Sequence, residues 1–170
     1  MIYLLDTNVL IDANRDYYPI DRVPEFWDWL LFYGINGKIK IPYEIYREII
    51  NGNDNLAVWA KKDNVKDALI LDEEIDNNLL IQIVHEGYGS NLTDIEYDGI
   101  GRDAFLIAYA LKDNLNRSVI TTEASKPSKQ KANRHIPDIC NQFNIPWHHT
   151  FNLTKLLNFS TSWKNQTPLI

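Results

Sequence analysis

MIYLLDTNVLID, residues 1–12, opens the chain with four apolar residues, Ile2–Leu5, that stop abruptly at Asp6-Thr7-Asn8. The run has β-favouring character and reads as a strand. Val9, Leu10 and Ile11 resume the apolar pattern at once, so a short helix over VLIDANR is expected, with Thr7 or Asn8 as its cap. A strand handing over directly to a helix is the unit from which α/β proteins are built.

The same alternation continues along the chain. PEFWDWLLFYGI at 24–35 predicts a helix, with Pro24 near its start and Gly34 near its end, and KIKIP at 38–42 predicts a strand. Pro42 suits the first turn of the next helix, YEIYREIING, which Gly52 ends. Residues 54–63 read as helical, ALIL at 68–71 as a short buried strand or helix start, and the stretch from Asp72 to Gly89 has helical spacing. Residues 91–101 read as polar and irregular. RDAFLIAYALKDN follows, apolar almost all round and therefore a buried helix. SVITT at 118–122 and PWHH at 146–149 are strands, with the helices IPDICNQF between them and FNLTKLLNF after them. Strands alternating with helices predict a mostly parallel sheet with helices on both faces. Without repeats or linkers, residues 1–160 read as a single domain and 161–170 as a frayed tail.

The 170 residues are 45% hydrophobic and 24% charged, the balance of a globular chain with a sizeable core. No apolar run approaches the roughly 18 residues a membrane span needs, and Asp6 interrupts the N-terminal run too early for a secretory signal. A cytoplasmic protein without a membrane partner is expected. The single cysteine, Cys140, excludes an internal disulfide and a cysteine metal cluster. A net charge of −6 argues against gripping nucleic acid through bulk positive field, although carboxylates at a metal site repel phosphate only until a cation neutralises them. The basic residues gather in the loop 126–134, where Lys126, Lys129, Lys131 and Arg134 could face phosphate or form a solvated, mobile loop.

Four acids stand where a parallel sheet builds a site, outside the carboxyl ends of its strands. Asp6 follows the first strand, Glu123 follows SVITT, Glu48 lies about two turns into its helix, and Asp103 heads the buried helix. Gathered carboxylates suit Mg²⁺ or Mn²⁺, which prefer oxygen ligands and can activate a water against a phosphodiester. His85, His135, His148 and His149 lack the spacing of a zinc hydrolase. Each acid also has a plainer reading: Asp6 as a helix cap, Glu48 as a solvated helix residue, Asp103 as a partner of the helix macrodipole, Glu123 as a loop residue. Thr7, Asn8 and Thr121 are secondary candidates that could orient an acid, Arg102 could pair with Asp103 or meet phosphate, and Asp94 and Asp98 could extend the cluster.

These segments carry a family resemblance. LLDTNVLID resembles the opening of PIN domains, IPYEIYREIING their second acidic segment with Glu48 at the matching position, GRDAFLIAYAL their third with Asp103, and SVITTE their fourth with Thr121 and Glu123. IPDICNQFNIPWHHTFNLTKLL resembles the closing helix–strand–helix of PIN-like toxins of the VapC type. The resemblance runs from about residue 2 to residue 158. It implies a three-layer α/β/α PIN-like fold with four to five strands. It further implies an Mg²⁺- or Mn²⁺-dependent endoribonuclease, the toxin of a toxin–antitoxin pair, with Asp6, Glu48, Asp103 and Glu123 as catalytic metal ligands, RNA as substrate and an antitoxin protein as partner. The chain departs from the pattern in having Glu at the fourth acid, where many PIN domains have Asp, and in a longer stretch between residues 53 and 100.

The carboxylates of Asp6, Asp103 and Glu123 are expected to converge within metal-bridging reach, with Glu48 facing the same pocket; a Glu48 carboxylate on the opposite face would refute its assignment. Two other readings stay open. An aspartyl-phosphate phosphatase begins similarly but needs a second Asp where Asn8 stands. A catalytically weak or inactive PIN-like module would act through protein or RNA binding. Trp27, Trp29 and Tyr33 read as core or, if exposed, as the face of a protein partner or homodimer.

Overall fold

Branched and leucine side chains put Ile2–Leu5 into strand β1, and similar runs form β2 (Ile39–Pro42), β3 (Ile70–Leu71), β4 (Arg117–Thr121) and β5 (Trp147–His149). In the computed structural model, which describes residues 1–165, these strands make one all-parallel sheet in the order β3-β2-β1-β4-β5. Parallel neighbours cannot be joined by a tight turn, and helices make every crossover. Helices α1 (Thr7–Asp12) and α2 (Pro24–Ile35) join β1 to β2, and α3 (Tyr43–Ile50), α4 (Asn55–Ala60) and α5 (Asp63–Leu69) join β2 to β3. Helices α6 (Asn77–Gln82), α7 (Asp94–Ile100) and α8 (Asp103–Leu111) lead to β4, α9 (Ile136–Gln142) leads to β5, and α10 (Thr150–Leu156) follows it. The result is the expected three-layer α/β/α architecture with a five-stranded sheet.

The chain winds outward from β1 to β3, then returns to lay β4 on the other side of β1. The sheet therefore has its topological switch point between β1 and β4, where an open α/β sheet forms a crevice at its carboxyl edge. The register pairs Leu5 with Ile120, so Asp6 and Thr121 are the next residues on each side of that crevice.

Helices α2 and α5 pack together over β2, and α2 is tied across the layer by Trp29 Nε1 and Tyr33 Oη, which both donate to the Leu157 carbonyl just past α10. Helix α8 lies against β1, β2 and β4 and is flanked by α6 and α9. Its Ala104, Leu106, Ile107, Ala108, Tyr109 and Ala110 are all buried, as its all-round apolar sequence predicts. Trp27 and Trp29 are buried too, in an aromatic cluster with Phe26, Tyr18, Trp59 and Phe159. The aromatic stripe of α2 is thus core rather than an exposed partner face.

Several expectations shift on contact with the structure. Neither Thr7 nor Asn8 caps α1: Asp6 occupies the cap position, and its side chain makes no capping hydrogen bond. Pro42 stands before the first turn of α3, in extended backbone, and is still paired with Leu71 in the sheet. Residues 54–63 hold a shorter helix, α4, capped by the Asp54 side chain on the Ala57 amide at 2.8 Å. The stretch read as irregular contains α7, secured by a capping box in which Glu96 accepts from the Thr93 amide and Thr93 Oγ1 from the Glu96 amide. Thr93-x-x-Glu96 carried that signal in the sequence. Of the tail expected to fray from residue 161, Trp163–Asn165 form a 3-10 turn, with Trp163 buried and its Nε1 donating to Glu25 O at 3.0 Å. Residues 166–170 lie outside the described residues. No helix among the described residues is long and apolar enough to cross a membrane.

Candidate functional site

Strand β1 delivers Asp6 to the switch point. Its amide donates to Ile120 O at 2.9 Å, which extends the ladder to β4 by one residue and leaves the carboxylate at the crevice. Thr121 Oγ1 donates to Asp6 Oδ2 at 3.0 Å and accepts from the Glu123 amide at 3.1 Å. One hydroxyl at the end of β4 therefore orients the first acid and folds the loop that carries the fourth. From the other side, Thr7 Oγ1 donates to Glu48 Oε2 at 2.6 Å, and Arg102 Nε stands 3.3 Å from Glu48 Oε1. Arg102 thus pairs with Glu48, not with Asp103. Asn8 is exposed, and its backbone N–H, though too poorly placed to cap α1 through Asp6, lies close enough to favour the charged carboxylate.

The four acids occupy one electrostatic neighbourhood. Asp6 is pushed up to about 6, first by burial and then by the charges of Glu123 and Glu48, against the opposing bonds from Thr121 and Asn8. Asp103, at the head of α8, is pushed up to about 8 by burial and by Asp6, Glu123 and Glu48, with nothing opposing. Asp94 and Asp98, on α7, do not figure among these charges.

The arrangement corrects one expectation. Among the described residues, no three Asp, Glu, His or Cys side chains are gathered closely enough to hold a metal ion. The carboxylates of Asp6, Asp103 and Glu123 do not converge within bridging reach as they stand. The causes are local: Glu48 is drawn to Thr7 and Arg102, and Glu123 Oε2 accepts from the Ile136 amide at 2.8 Å, at the start of α9. Like charges without a counter-ion also stay apart. The donor set nonetheless suits a hard cation. It is all oxygen, and Glu123 Oε1 and both Asp103 oxygens accept no hydrogen bond among the described residues. Asp6, Glu48, Asp103 and Glu123 are the residues that could hold such an ion.

Three features had little or no signal in the sequence. Asp138 is buried on α9 and holds the loop after Glu123 by accepting from Ser125 Oγ at 2.5 Å and the Lys126 amide at 2.8 Å. The basic loop is stapled rather than free: Lys131 pairs with Glu96 at 3.1 Å, and Arg134 donates to Gly87 O and Gln142 Oε1. Tyr88 is buried with no hydrogen-bond partner for its hydroxyl, whose ionisation is suppressed by burial and by Asp103, Cys140 and Glu123. Tyr88→Phe keeps the ring and removes that hydroxyl. Urea denaturation should show stability unchanged or raised by about 1 kcal/mol; a loss of that size would mean the hydroxyl is bonded after all.

A protein-family model described as a domain of unknown function, DUF4411, matches residues 3–161. The chain belongs to this family. Its match to the DUF4411 family takes in the five strands, β1 from its second residue, and all four acids. A search of curated proteins returns no match.

Proposed function

We propose that this DUF4411 chain is a metal-dependent endoribonuclease whose site is the acidic crevice at the β1/β4 switch point. The observation that carries the reading is the convergence of four acids from four separate segments on one crevice, where Asp6 and Asp103 are both raised by burial and by the charges of Glu123 and Glu48. Four acids with so little opposing charge are costly in a fold unless a cation joins them. The ordered resemblance of these four segments to PIN domains supports the same reading, and with it a cytoplasmic toxin held by an antitoxin.

Bound Mg²⁺ or Mn²⁺ would supply a water of lowered pKa and charge stabilisation at the scissile phosphate. The chain's residues prepare for that. Thr121 fixes the orientation of Asp6, and Thr7 that of Glu48. Asp103, raised to about 8 by burial and the neighbouring acids, holds a proton that it would release on binding a cation. Arg102 meets Glu48 through Nε at 3.3 Å, and its terminal nitrogens, which make no hydrogen bond among the described residues, would meet a phosphate oxygen.

The test is cleavage of RNA in Mn²⁺ by the parent protein beside its variants. Asp6→Asn and Asp103→Asn should fall to background, and Thr121→Val and Thr7→Val by roughly 10- to 100-fold, as expected for groups that orient ligands. Cleavage untouched by both Asn substitutions would refute the assignment. A folded protein that takes up Mn²⁺ yet cuts no RNA would favour the binding-module reading, in which Glu123 serves the start of α9 alone.

A further inference from the structure

A second feature adjoins the acids. A cleft of about 320 Å³ is lined by Glu48, Tyr97, Asp98, Gly101, Arg102 and Phe105. It shares Glu48 with the acidic crevice, so the two adjoin. Its walls combine a guanidinium with two aromatic rings. Arg102 has terminal nitrogens free of hydrogen bonds among the described residues. Tyr97 is 43% exposed, and neither its ring nor that of Phe105 packs against another aromatic ring. Helix α7, which carries Tyr97, is anchored by its capping box and by Lys131 on Glu96, so the ring is presented from a fixed element. Gly101 makes the turn into α8 at φ +57°, and a side chain there would meet nothing within 4 Å, which leaves that wall open.

We propose that this cleft is a nucleotide subsite: Tyr97 and Phe105 take the unpaired base next to the scissile phosphate, and Arg102 takes its backbone phosphate. The inference rests on the ribonuclease reading and narrows it to single-stranded RNA or loops, because a base held in a duplex stack cannot present its face to these rings. Stacking on an aromatic side chain is tolerant of base identity, so the subsite selects strand state rather than sequence.

The experiment separates binding from cleavage. In the Asp103→Asn background, with Mn²⁺ present, fluorescence anisotropy measures the affinity for a labelled single-stranded 10-mer and for the same sequence as a duplex. Tyr97→Ala should weaken single-strand binding by about 5- to 100-fold and leave duplex binding unchanged, while Tyr97→Phe, which keeps the ring, should match the parent. In the otherwise native protein, Tyr97→Ala should raise KM and leave kcat within about twofold. Single-strand affinity unmoved by Tyr97→Ala, or lost equally in Tyr97→Phe, overturns the subsite. If RNA is cut but Tyr97→Ala binds normally, the subsite alone fails. If Tyr97→Ala loses binding while no RNA is cut by the native protein, the nuclease reading fails and the subsite stands as an RNA-binding site. No binding of either RNA overturns both.

Discussion

Asp103→Asn is expected to make the metal-free protein more stable at pH 8 by roughly 3–5 kcal/mol while abolishing cleavage. The folded state raises this acid from an ordinary 3.8 to about 8, by burial and by the charges of Asp6, Glu123 and Glu48. Between those two values the folded chain holds a proton that the unfolded chain has lost. Unfolding free energy therefore falls as pH rises from about 4 to about 8, and levels off above it. Asp6, raised to about 6, adds a smaller fall over about pH 4–6. Asn cannot ionise, so the variant escapes the larger part of that loss. Urea denaturation in EDTA at pH 5 and pH 8 measures both: the parent should lose several kcal/mol between them and the variant much less. Parallel losses in the two proteins would mean that Asp103 is not raised. Mn²⁺ should narrow the gap at pH 8, since a cation bound only by the folded state stabilises it.

Trp29→Ala should cost about 3–5 kcal/mol, enough to unfold a large share of a marginally stable domain. Trp29 is fully buried, stacks near Phe26, stands edge-on to Tyr33 and tilts against Phe159, while its Nε1 reaches the Leu157 carbonyl at 3.3 Å. Removing it opens a cavity between α2 and the segment after α10 and leaves that carbonyl to Tyr33 alone. Ile35, on the same helix and 75% exposed, is the control: Ile35→Ala should stay within about 0.5 kcal/mol. Urea midpoints decide the matter. A Trp29→Ala cost below about 1 kcal/mol would mean that the helix packs elsewhere, and would reopen its aromatic face as a partner surface.

Much of this was legible in the sequence because it rests on local pattern. Ile2–Leu5, Pro24–Ile35 and Asp103–Leu111 declare themselves by apolar runs and helical spacing, and their bounds match the structure closely. Asp6 and Asp103 were legible as candidates because each sits where an element ends or begins, and the structure brings both to the β1/β4 crevice. What the sequence could not reveal depends on distant partners. The strand order that puts β4 beside β1 is a long-range outcome, and so are the bonds Thr121–Asp6 and Thr7–Glu48, which join residues 115 and 41 positions apart. Arg102 turned to Glu48 rather than to its neighbour Asp103 for the same reason. Helix α7 is different: its capping box was in plain view at Thr93 and Glu96, masked by the polar residues around it. Tyr88 and Asp138 carried no signal, since an isolated polar residue in an apolar helix reveals its burial only once the layers are assembled.

The central claim is that the acidic crevice cuts RNA with a divalent cation, and metal add-back tests it most directly. Protein stripped with EDTA is incubated with end-labelled single-stranded RNA, then supplied with excess Mn²⁺, beside an Asp6→Asn/Asp103→Asn double variant carried through the same steps. No cleavage is expected in EDTA, cleavage should return with Mn²⁺ in the parent, and the double variant should cut at no step. Cleavage that persists in EDTA, or that the double variant performs as fast as the parent, would contradict the claim.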